Sequence, residues 1–439
     1  MKLTYKHTIY ACFLGYIVQA IVNNFAPLLF LTFQRTYDIP LSQITMLVTV
    51  NFGLQLLVDL LSVGFVDRIG YRASLIIAHV CAAAGFLGLT ILPDLLPSPF
   101  AGLLIAVMIY AVGGGLLEVL VSPVVEACPT NNKEKAMSLL HSFYCWGHVA
   151  VVLISTVFFT VIGTQHWKIL ALFWMIVPLC NLVLFAKTPI APLIEDGEKG
   201  MSVGQLFSNK IFWVLLVMMV CAGASEQAVS QWASTLAEKG LGISKTMGDL
   251  AGPMAFAVLM GSSRAFYGKF GEKINLDRFM AGSSILCVIA YLMIAVLPYP
   301  VLNLVGCGLC GLSVGIMWPG TFSKASAAMP FGGTAMFALL ALAGDLGCSG
   351  GPTFAGMVAS AAGDDLQRGI LCAVLFPALL LVMIFVLGKM RRERDRAQEK
   401  QNWARTRQWA KKENADKAGW RKEKAGSFRE LPAVSNPVL

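Results

Sequence analysis

Apolar segments long enough to cross a bilayer recur along almost the whole of this chain. A membrane-spanning helix needs roughly 20 predominantly apolar residues, and twelve segments of the 439-residue sequence reach that length. Hydrophobic residues make up 56% of the chain and charged residues only 13%, a surface that a water-soluble fold of this size could not solvate. The predicted fold is therefore an all-α integral membrane protein with twelve transmembrane helices. In chain order, segments 1 to 12 are 7–33, 41–66, 73–92, 101–125, 136–163, 167–186, 211–237, 247–269, 279–298, 301–328, 332–361 and 368–389.

Basic residues between the segments predict the orientation, because Lys and Arg concentrate in cytoplasmic loops. If the N-terminus is cytoplasmic, most of the loop Lys and Arg residues lie on the cytoplasmic side. The outer loops then carry only Arg35, Lys168, Lys239, Lys245 and Arg368. Both termini are therefore predicted to be cytoplasmic, and a multi-pass protein of the cell membrane is expected.

A polar break between segments 6 and 7 predicts two six-helix halves joined by a linker. At an offset of 196 residues, three matches support an internal repeat, and they pair Gly115 with Gly311, Pro123 with Pro319 and Arg68 with Arg264. Repeated halves with a substrate site between them are typical of secondary transporters. The predicted parts are an N-terminal half 1–187, a central cytoplasmic linker 188–209, a C-terminal half 210–390 and a basic cytoplasmic tail 391–439.

The basic net charge belongs mostly to the tail. From Lys389 onward there are 15 Lys and Arg against 7 Asp and Glu, a balance of +8 out of a total of +9. The rest of the chain is close to neutral, so the charge does not indicate a nucleic-acid partner. The tail either lies as a helix on the anionic inner leaflet or is solvated. The eleven cysteines are scattered, and the sequence predicts no metal or cofactor site.

Four acidic side chains lie deep inside apolar segments, and they are Asp59, Glu118, Glu226 and Asp345. Hydrocarbon disfavours a carboxylate, so each needs a water-filled cavity, a partner or a proton. No Lys or Arg lies near the middle of those four segments, and the sequence predicts buried acids without buried bases. This combination indicates a transporter that moves protons with an uncharged, polar substrate.

The short loop between segments 2 and 3 carries a recognisable motif, GFVDRIGYR at residues 64–72. It resembles the signature loop of the major facilitator superfamily, G-x-x-x-D-R-x-G-R-R, and departs from it at Tyr71, where the family usually has a basic residue. The resemblance implies the twelve-helix fold of that family as two six-helix pseudo-repeats, with a loop that gates the cytoplasmic side. Glycines would permit close helix approach. The predicted gating residues are Gly64, Asp67, Arg68, Gly70 and Arg72.

Segment 4 narrows the resemblance within the superfamily. Its glycine run, then Glu118, a small residue and Pro123 resemble the corresponding helix of the fucose permease-like sugar:proton symporters. In that branch the glutamate couples protons to the substrate, a role that falls here on Glu118. The branch also has an aspartate in its first helix, whereas segment 1 has only polar amides, and Asp59 is the possible substitute.

Polar and aromatic residues predict the lining of a sugar site, since carboxamides pair with hydroxyls and indoles stack on sugar rings. Segment 7 carries an acid followed by an aromatic residue, as in the same branch. For each side chain the alternative is polar contact between helices. The predicted substrate-binding residues are Gln19, Asn23, Asn51, Tyr144, Gln227, Gln231, Trp232 and Trp318.

The sequence thus predicts a monomeric, proton-driven importer of a neutral sugar or similar polar solute, working by alternating access. A proton-coupled exporter or drug antiporter, and a non-transporting sensor that signals through the tail, are the alternatives. No spacing of residues indicates an enzyme.

Overall fold

The computed structural model of this chain is all-helical. It describes residues 3–193, 200–233, 236, 250–363 and 365–394, and beyond these 396, 397, 399, 400, 403 and 406. The chain falls into two compact units, 1–385 and 386–439. In the second unit, residues 386–394 are helical, and Lys389 lies 4.0 Å from Glu393 one turn away. The predicted tail lies largely outside the described residues.

Fifteen α-helices are named here in chain order. Their bounds are α1 Tyr5–Asn24, α2 Phe30–Tyr37, α3 Leu41–Ile69, α4 Tyr71–Leu95, α5 Pro99–Ala127, α6 Lys133–Val161, α7 Trp167–Lys187, α8 Val203–Ser208, α9 Lys210–Ser230, α10 Ala255–Phe270, α11 Leu276–Val296, α12 Pro300–Val314, α13 Met317–Ala328, α14 Gly333–Ala361 and α15 Leu366–Ala373. Within the described residues, eleven helical stretches are long and apolar enough to cross a membrane.

These eleven stretches correspond to all the predicted segments except segment 8. The described part of segment 8 is a π-helical turn, Leu250–Met254, followed by α10. Its beginning and the end of segment 7 lie outside the described residues. Segment 10 is not one uninterrupted helix, since it breaks between α12 and α13 at Gly315 and Ile316. The proline at position 319 explains the break, because it cannot donate to the carbonyl four residues earlier.

Polar residues in the loops fix where several helices begin. Asn132 accepts a hydrogen bond from the backbone of Lys135 at the start of α6, and Asn275 does the same for Arg278 at the start of α11. Such side chains satisfy backbone N–H groups that have no partner within the helix. The caps end the apolar runs at the predicted loops, which is why segment boundaries could be predicted to within a few residues.

Two sets of helices meet in the centre of the bundle. We call α1–α7 the first helix group and α9–α15 the second, and we call the end that carries Asp67 the motif end. Helix α6 packs against α10, and α3 packs against α14, so both pairs join the two groups. Residues 1–385 nevertheless form one compact unit, and their division into two halves stays a prediction.

Glycines bring neighbouring helices within backbone contact at two places. A Cβ at Gly113 would lie 2.5 Å from the carbonyl oxygen of Ala78, so α5 and α4 touch there. On α14, a Cβ at Gly347 would overlap the backbone of Val220 on α9. Small residues allow this close packing in membranes. The glycine cluster beside Asp345 therefore packs tightly against α9.

Candidate substrate and proton site

Glu118 contacts the first helix through an amide. Gln19 Nε2 donates to Glu118 Oε2 at 2.7 Å, which joins α1 to α5. Gln19 is 3% exposed, and its own Oε1 atom has no hydrogen-bond partner. An uncharged donor therefore holds this carboxylate, and an unused acceptor lies beside it.

A second polar cluster joins α1 to α3. Gln55 Nε2 donates to Asn23 Oδ1 at 2.7 Å, and Asn51 Nδ2 approaches the same oxygen at 3.4 Å. Tyr144 on α6 lies close to Asn23 and Asn24. Asn51 Oδ1 is buried without a partner. The polar stripe of segment 2 thus contacts α1 with its first two members.

Glu226 is paired with a buried base, which corrects the expectation of acids without bases. Arg264 Nη2 lies 3.1 Å from Glu226 Oε2, and Arg264 is only 4% exposed. Lys324 is a second buried base, 3% exposed and paired with Asp277. Arg264 lies five residues before the predicted end of segment 8, away from the four segments that carry the buried acids. Its side chain instead extends inward, where it finds acceptors.

The break in segment 10 supplies one of those acceptors. Pro319 has no N–H to offer the carbonyl of Gly315, and Arg264 Nε donates to that carbonyl at 2.9 Å. Arg264 Nη1 donates to the carbonyl of His141 at 3.3 Å and contacts Cys145 Sγ at 3.1 Å. The guanidinium thus bonds with all three of its nitrogens, and its partners come from both helix groups.

Beside Arg264 lies a buried set of hydroxyl and imidazole groups. The hydroxyl of Tyr16 lies 3.0 Å from Ser122 Oγ and 3.4 Å from His141 Nε2. Sequence reasoning did not single out Tyr16 or Ser122. A signal was present, since Ser122 directly precedes Pro123 in segment 4 and His141 lies on the polar face of segment 5.

Asp59 and Asp345 face each other across the two groups. Asp59 on α3 is 0% exposed, and neither of its oxygens accepts a hydrogen bond from an amide, hydroxyl or base. Its neighbour across the helix interface is the carboxyl of Asp345 on α14, which is half-buried. Glu118 is near enough to Asp59 for their charges to interact, and so is Glu226 to Asp345. All four predicted acids therefore lie in one region.

The other predicted lining residues lie near this region but differ in their contacts. Gln227 contacts Glu226, whereas Gln231 is exposed. Trp232 Nε1 donates to the carbonyl of Pro352 on α14 at 3.3 Å. Trp318 is 8% exposed and packs against Gly344, where a Cβ would overlap its ring.

The motif loop joins the two groups at the motif end. Thr334 Oγ1, in the first turn of α14, donates to Asp67 Oδ1 at 2.6 Å and lies 2.6 Å from the hydroxyl of Tyr71. Because the single Thr334 proton goes to Asp67, Tyr71 is the donor to Thr334. The residue that departs from the family pattern thus takes part in the contact.

The remaining motif residues have separate roles. Arg72 donates to the carbonyls of Phe185, Ala186 and Thr188 and so caps the end of α7. Gly70 has φ +84°, a conformation that favours glycine. Arg68 is exposed. At Gly64 a Cβ would meet nothing within 4 Å, so the expected close helix approach is wrong there.

A family model for the major facilitator superfamily matches residues 11–352. The chain belongs to this superfamily. The family predicted from the motif loop is thereby confirmed.

Solved structures of the superfamily resemble this fold closely at low sequence identity. The Escherichia coli fucose:proton symporter FucP, in a single-residue variant, is 14% identical with a TM-score of 0.75, covering 88% of this chain and 99% of its own. The proton:xylose symporter XylE, bound to 6-bromo-6-deoxy-D-glucose, is 13% identical with a TM-score of 0.72, covering 88% and 95%. The human organic anion transporter MFSD10 is 14% identical with a TM-score of 0.66, covering 87% and 99%. None of the curated proteins matches this chain. The likeness establishes the fold of a superfamily transporter.

Further contacts join the helix groups of this superfamily member at the motif end. Lys135 Nζ lies 2.7 Å from Glu272 Oε1, and the Tyr267 hydroxyl donates to Glu134 Oε2 at 3.0 Å. A cavity of about 730 Å³ also lies at this end, with Phe337 in its lining. Its lining residues include none of the four convergent acids, so it is separate from the predicted site.

Proposed function

We propose that this protein imports a neutral sugar or similar polyol together with protons, by alternating access of two six-helix halves. In this proposal the chain spans the membrane twelve times, with both termini and the motif end in the cytoplasm. The observation that carries it is Glu118, a carboxyl group deep in the bundle whose partner is the uncharged amide of Gln19. Such an acid can cycle between its protonated and ionised forms.

Glu118 suits this role better than Glu226. The guanidinium of Arg264 faces Glu226 at 3.1 Å, and a charged partner favours the ionised carboxylate throughout the cycle. Glu226 is then a structural and site-shaping residue. Asp59 and Asp345 remain as further proton candidates.

Two unused acceptors support a hydroxyl-bearing substrate. Gln19 Oε1 and Asn51 Oδ1 are buried without a partner, and such atoms favour a ligand that donates hydrogen bonds. The buried base does not require an anion, since Arg264 is already bonded to Glu226, Gly315 and His141. FucP and XylE, which share the fold, are named for sugars.

Uptake into proteoliposomes tests the coupling. The wild type should accumulate a sugar from a neutral panel only when a pH gradient is imposed. Glu118→Gln should lose this accumulation and keep exchange of sugar between equal concentrations, because the amide resembles only the protonated acid. Glu393→Gln, which neutralises an exposed acid, is the matched control and should accumulate normally. Normal accumulation by Glu118→Gln would assign the proton to another residue.

Organic anion transport is the second candidate, and the observation that favours it is the buried Arg264. An anion that displaced Glu226 could bind the guanidinium. Competition in the same uptake assay separates the two, since sugar phosphates or dicarboxylates should compete strongly in this case and free sugars should not.

Export, drug antiport and sensing are the alternatives within the same fold. Inverting the pH gradient distinguishes import from antiport. Deletion of residues 395–439 should leave uptake intact in a transporter, whereas a sensor would lose its output.

A further inference from the structure

The contact between Asp59 and Asp345 brings together two acidic groups and no basic one. Two carboxyl groups face each other, and neither oxygen of Asp59 receives a hydrogen bond from an N–H or hydroxyl group. Two neighbouring ionised carboxylates repel each other, and the repulsion is stronger where water is excluded, as it is at Asp59. A single proton between them turns the repulsion into a hydrogen bond.

The groups around this contact add no positive charge. Glu118 on α5 is near enough to repel a charge on Asp59, and Glu226 on α9 is near enough to repel one on Asp345. The charge of Glu226 is balanced by Arg264, whereas Glu118 has only an amide partner. The surroundings therefore favour uptake of a proton by the pair.

The two acids belong to different helix groups and lie at a similar depth. Asp59 is ten residues before the end of α3 at Ile69, and Asp345 is twelve residues after the start of α14 at Gly333. At about 1.5 Å per residue, both are roughly 15–18 Å from the motif end. The contact therefore exists only while α3 and α14 are together.

We propose that Asp59 and Asp345 form a second proton-binding site, in which one shared proton holds α3 against α14 while the motif end is closed. When the two helices separate, the hydrogen bond breaks, the proton leaves to water at the motif end, and both carboxyl groups become ionised. This inference rests on the alternating access of the proposed function and not on Glu118 as the coupling acid. It makes closure at the motif end dependent on pH.

The sign of that dependence follows from linkage. The closed state binds one proton more than the open state, so acid favours closure and alkali favours opening. The ratio of closed to open molecules should fall by up to tenfold per pH unit over the range in which the pair titrates.

Spin labels at the motif end measure this ratio directly. Asn131 and Lys273 are exposed residues of the two helix groups that flank α6 and α10. Labels on Asn131→Cys and Lys273→Cys, with the exposed Cys180 and Cys372 changed to Ser, report the distance between the groups in purified protein. Between pH 5 and pH 9, the wild type should shift from the short to the long distance.

Asparagine at either position supplies a hydrogen-bond donor that does not titrate. Asp59→Asn and Asp345→Asn should each stay at the short distance across the pH range, because the amide donates to the remaining carboxylate. Asp94→Asn, an acid paired with Lys168 away from this contact, is the matched control and should titrate as the wild type does. Glu118→Gln should keep the pH-dependent shift but move it to lower pH, because one of the acids that act on Asp59 is then neutral.

Three results would overturn the proposal: no pH-dependent shift in the wild type, an unaltered shift in both asparagine variants, or loss of the shift in Glu118→Gln, which assigns the proton to Glu118. Failure of proton-driven sugar uptake would contradict the proposed function and leave this titration unaffected. If an asparagine variant does not fold, infrared spectra of the wild type provide a second measurement. Asp345→Glu should then shift the C=O stretch of a protonated carboxyl group at pH 7, and an absent band in the wild type would reject the shared proton.

Discussion

Arg264 is the residue on which the centre of this bundle most depends. Its guanidinium bonds to Glu226 on α9, to the carbonyl of Gly315 after α12 and to the carbonyl of His141 on α6. A buried ion pair gains little over an apolar pair but is costly to break, because one charge is left without a partner.

Removal of Arg264 should therefore destabilise the protein more than removal of the pair. Arg264→Met is expected to cost about 3–5 kcal/mol, as breaking a buried pair does. The double variant Arg264→Met/Glu226→Gln should recover a large part of this loss, since no uncompensated charge remains. Thermal unfolding in detergent measures both.

The control for this comparison is Arg68→Met. Arg68 is exposed, so its loss should leave the unfolding temperature nearly unchanged. Equal unfolding temperatures for Arg264→Met and the wild type would mean that the ion pair does not stabilise the bundle.

The contacts between helices depend on a few small or hydroxyl-bearing residues. Gly344 lets α14 accept the ring of Trp318 from α13, and Thr334 in the first turn of α14 holds both Asp67 and Tyr71. Both contacts lie on α14, one inside the second helix group and one between the groups. Substitutions at Gly344 and at Thr334 should therefore distinguish the packing of α14 from its role in gating.

A side chain at Gly344 should disturb packing. Gly344→Ala is expected to destabilise the protein by about 1–3 kcal/mol, the usual cost of overpacking, and to weaken sugar uptake through displacement of Trp318. Gly350→Ala on the same helix is the matched control, because a Cβ there meets nothing within 4 Å. Equal stability of the two variants would contradict the role given to Gly344.

Loss of the Thr334 contacts should open the motif end. Thr334→Val removes the donor to Asp67 and the acceptor for Tyr71, and Asp67→Asn weakens the first of these contacts. One hydrogen bond contributes about 0.5–1.5 kcal/mol, so Asp67→Asn should raise the fraction of open molecules by about two- to tenfold. Thr334→Val loses two hydrogen bonds and should raise it further. Spin-label distances at the motif end measure this fraction.

Tyr71→Phe removes only the hydroxyl of the residue that departs from the family motif. It should also raise the fraction of open molecules, by a smaller amount. Binding of substrate in detergent should be largely kept in all three variants. If neither the distances nor transport change in any of them, the loop anchors the topology and does not gate.

At the scale of the whole molecule, opening at the motif end breaks contacts of two electrostatic kinds. Asp59 is fully buried and Asp345 is half-buried, whereas Lys135 and Glu272 form a largely exposed ion pair at 2.7 Å. The hydrogen bond from Lys135 lowers the pKa of Glu272 below its usual value. A depressed carboxyl pKa stabilises the contact at neutral pH, and this contribution is lost as the pH falls through the lowered value.

Loss of the Lys135–Glu272 ion pair in strong acid should therefore favour opening. This effect is opposite in direction to that of Asp59 and Asp345, and it occurs at a lower pH than their titration. The effect should be small and should diminish at high salt, because surface ion pairs are screened. Glu272→Gln should remove the salt dependence of the motif-end distance at neutral pH. Lys210→Gln, at an exposed position at the start of α9, controls for general charge effects.

Most of the fold could be predicted from the sequence, because apolar length and loop caps act locally. Eleven of the twelve segments are found as membrane-length helices among the described residues, and Asn132 and Asn275 begin helices at the predicted loops. The site was less predictable. The inward reach of Arg264 depends on a carbonyl freed by Pro319 on another helix, and the approach of Asp345 to Asp59 depends on the packing of α14 on α3. Neither follows from spacing along one segment.

The ion pair of Arg264 and Glu226 has an electrical consequence. Glu226 and Gly315, like Arg264 itself, belong to the second helix group, while His141 and Cys145 belong to the first. If the groups part between them, the guanidinium keeps its carboxylate, and the two charges shift together as a neutral unit. The membrane voltage does no net work on such a unit. In a cycle that carries an uncharged solute, the voltage would then act through the coupled protons alone.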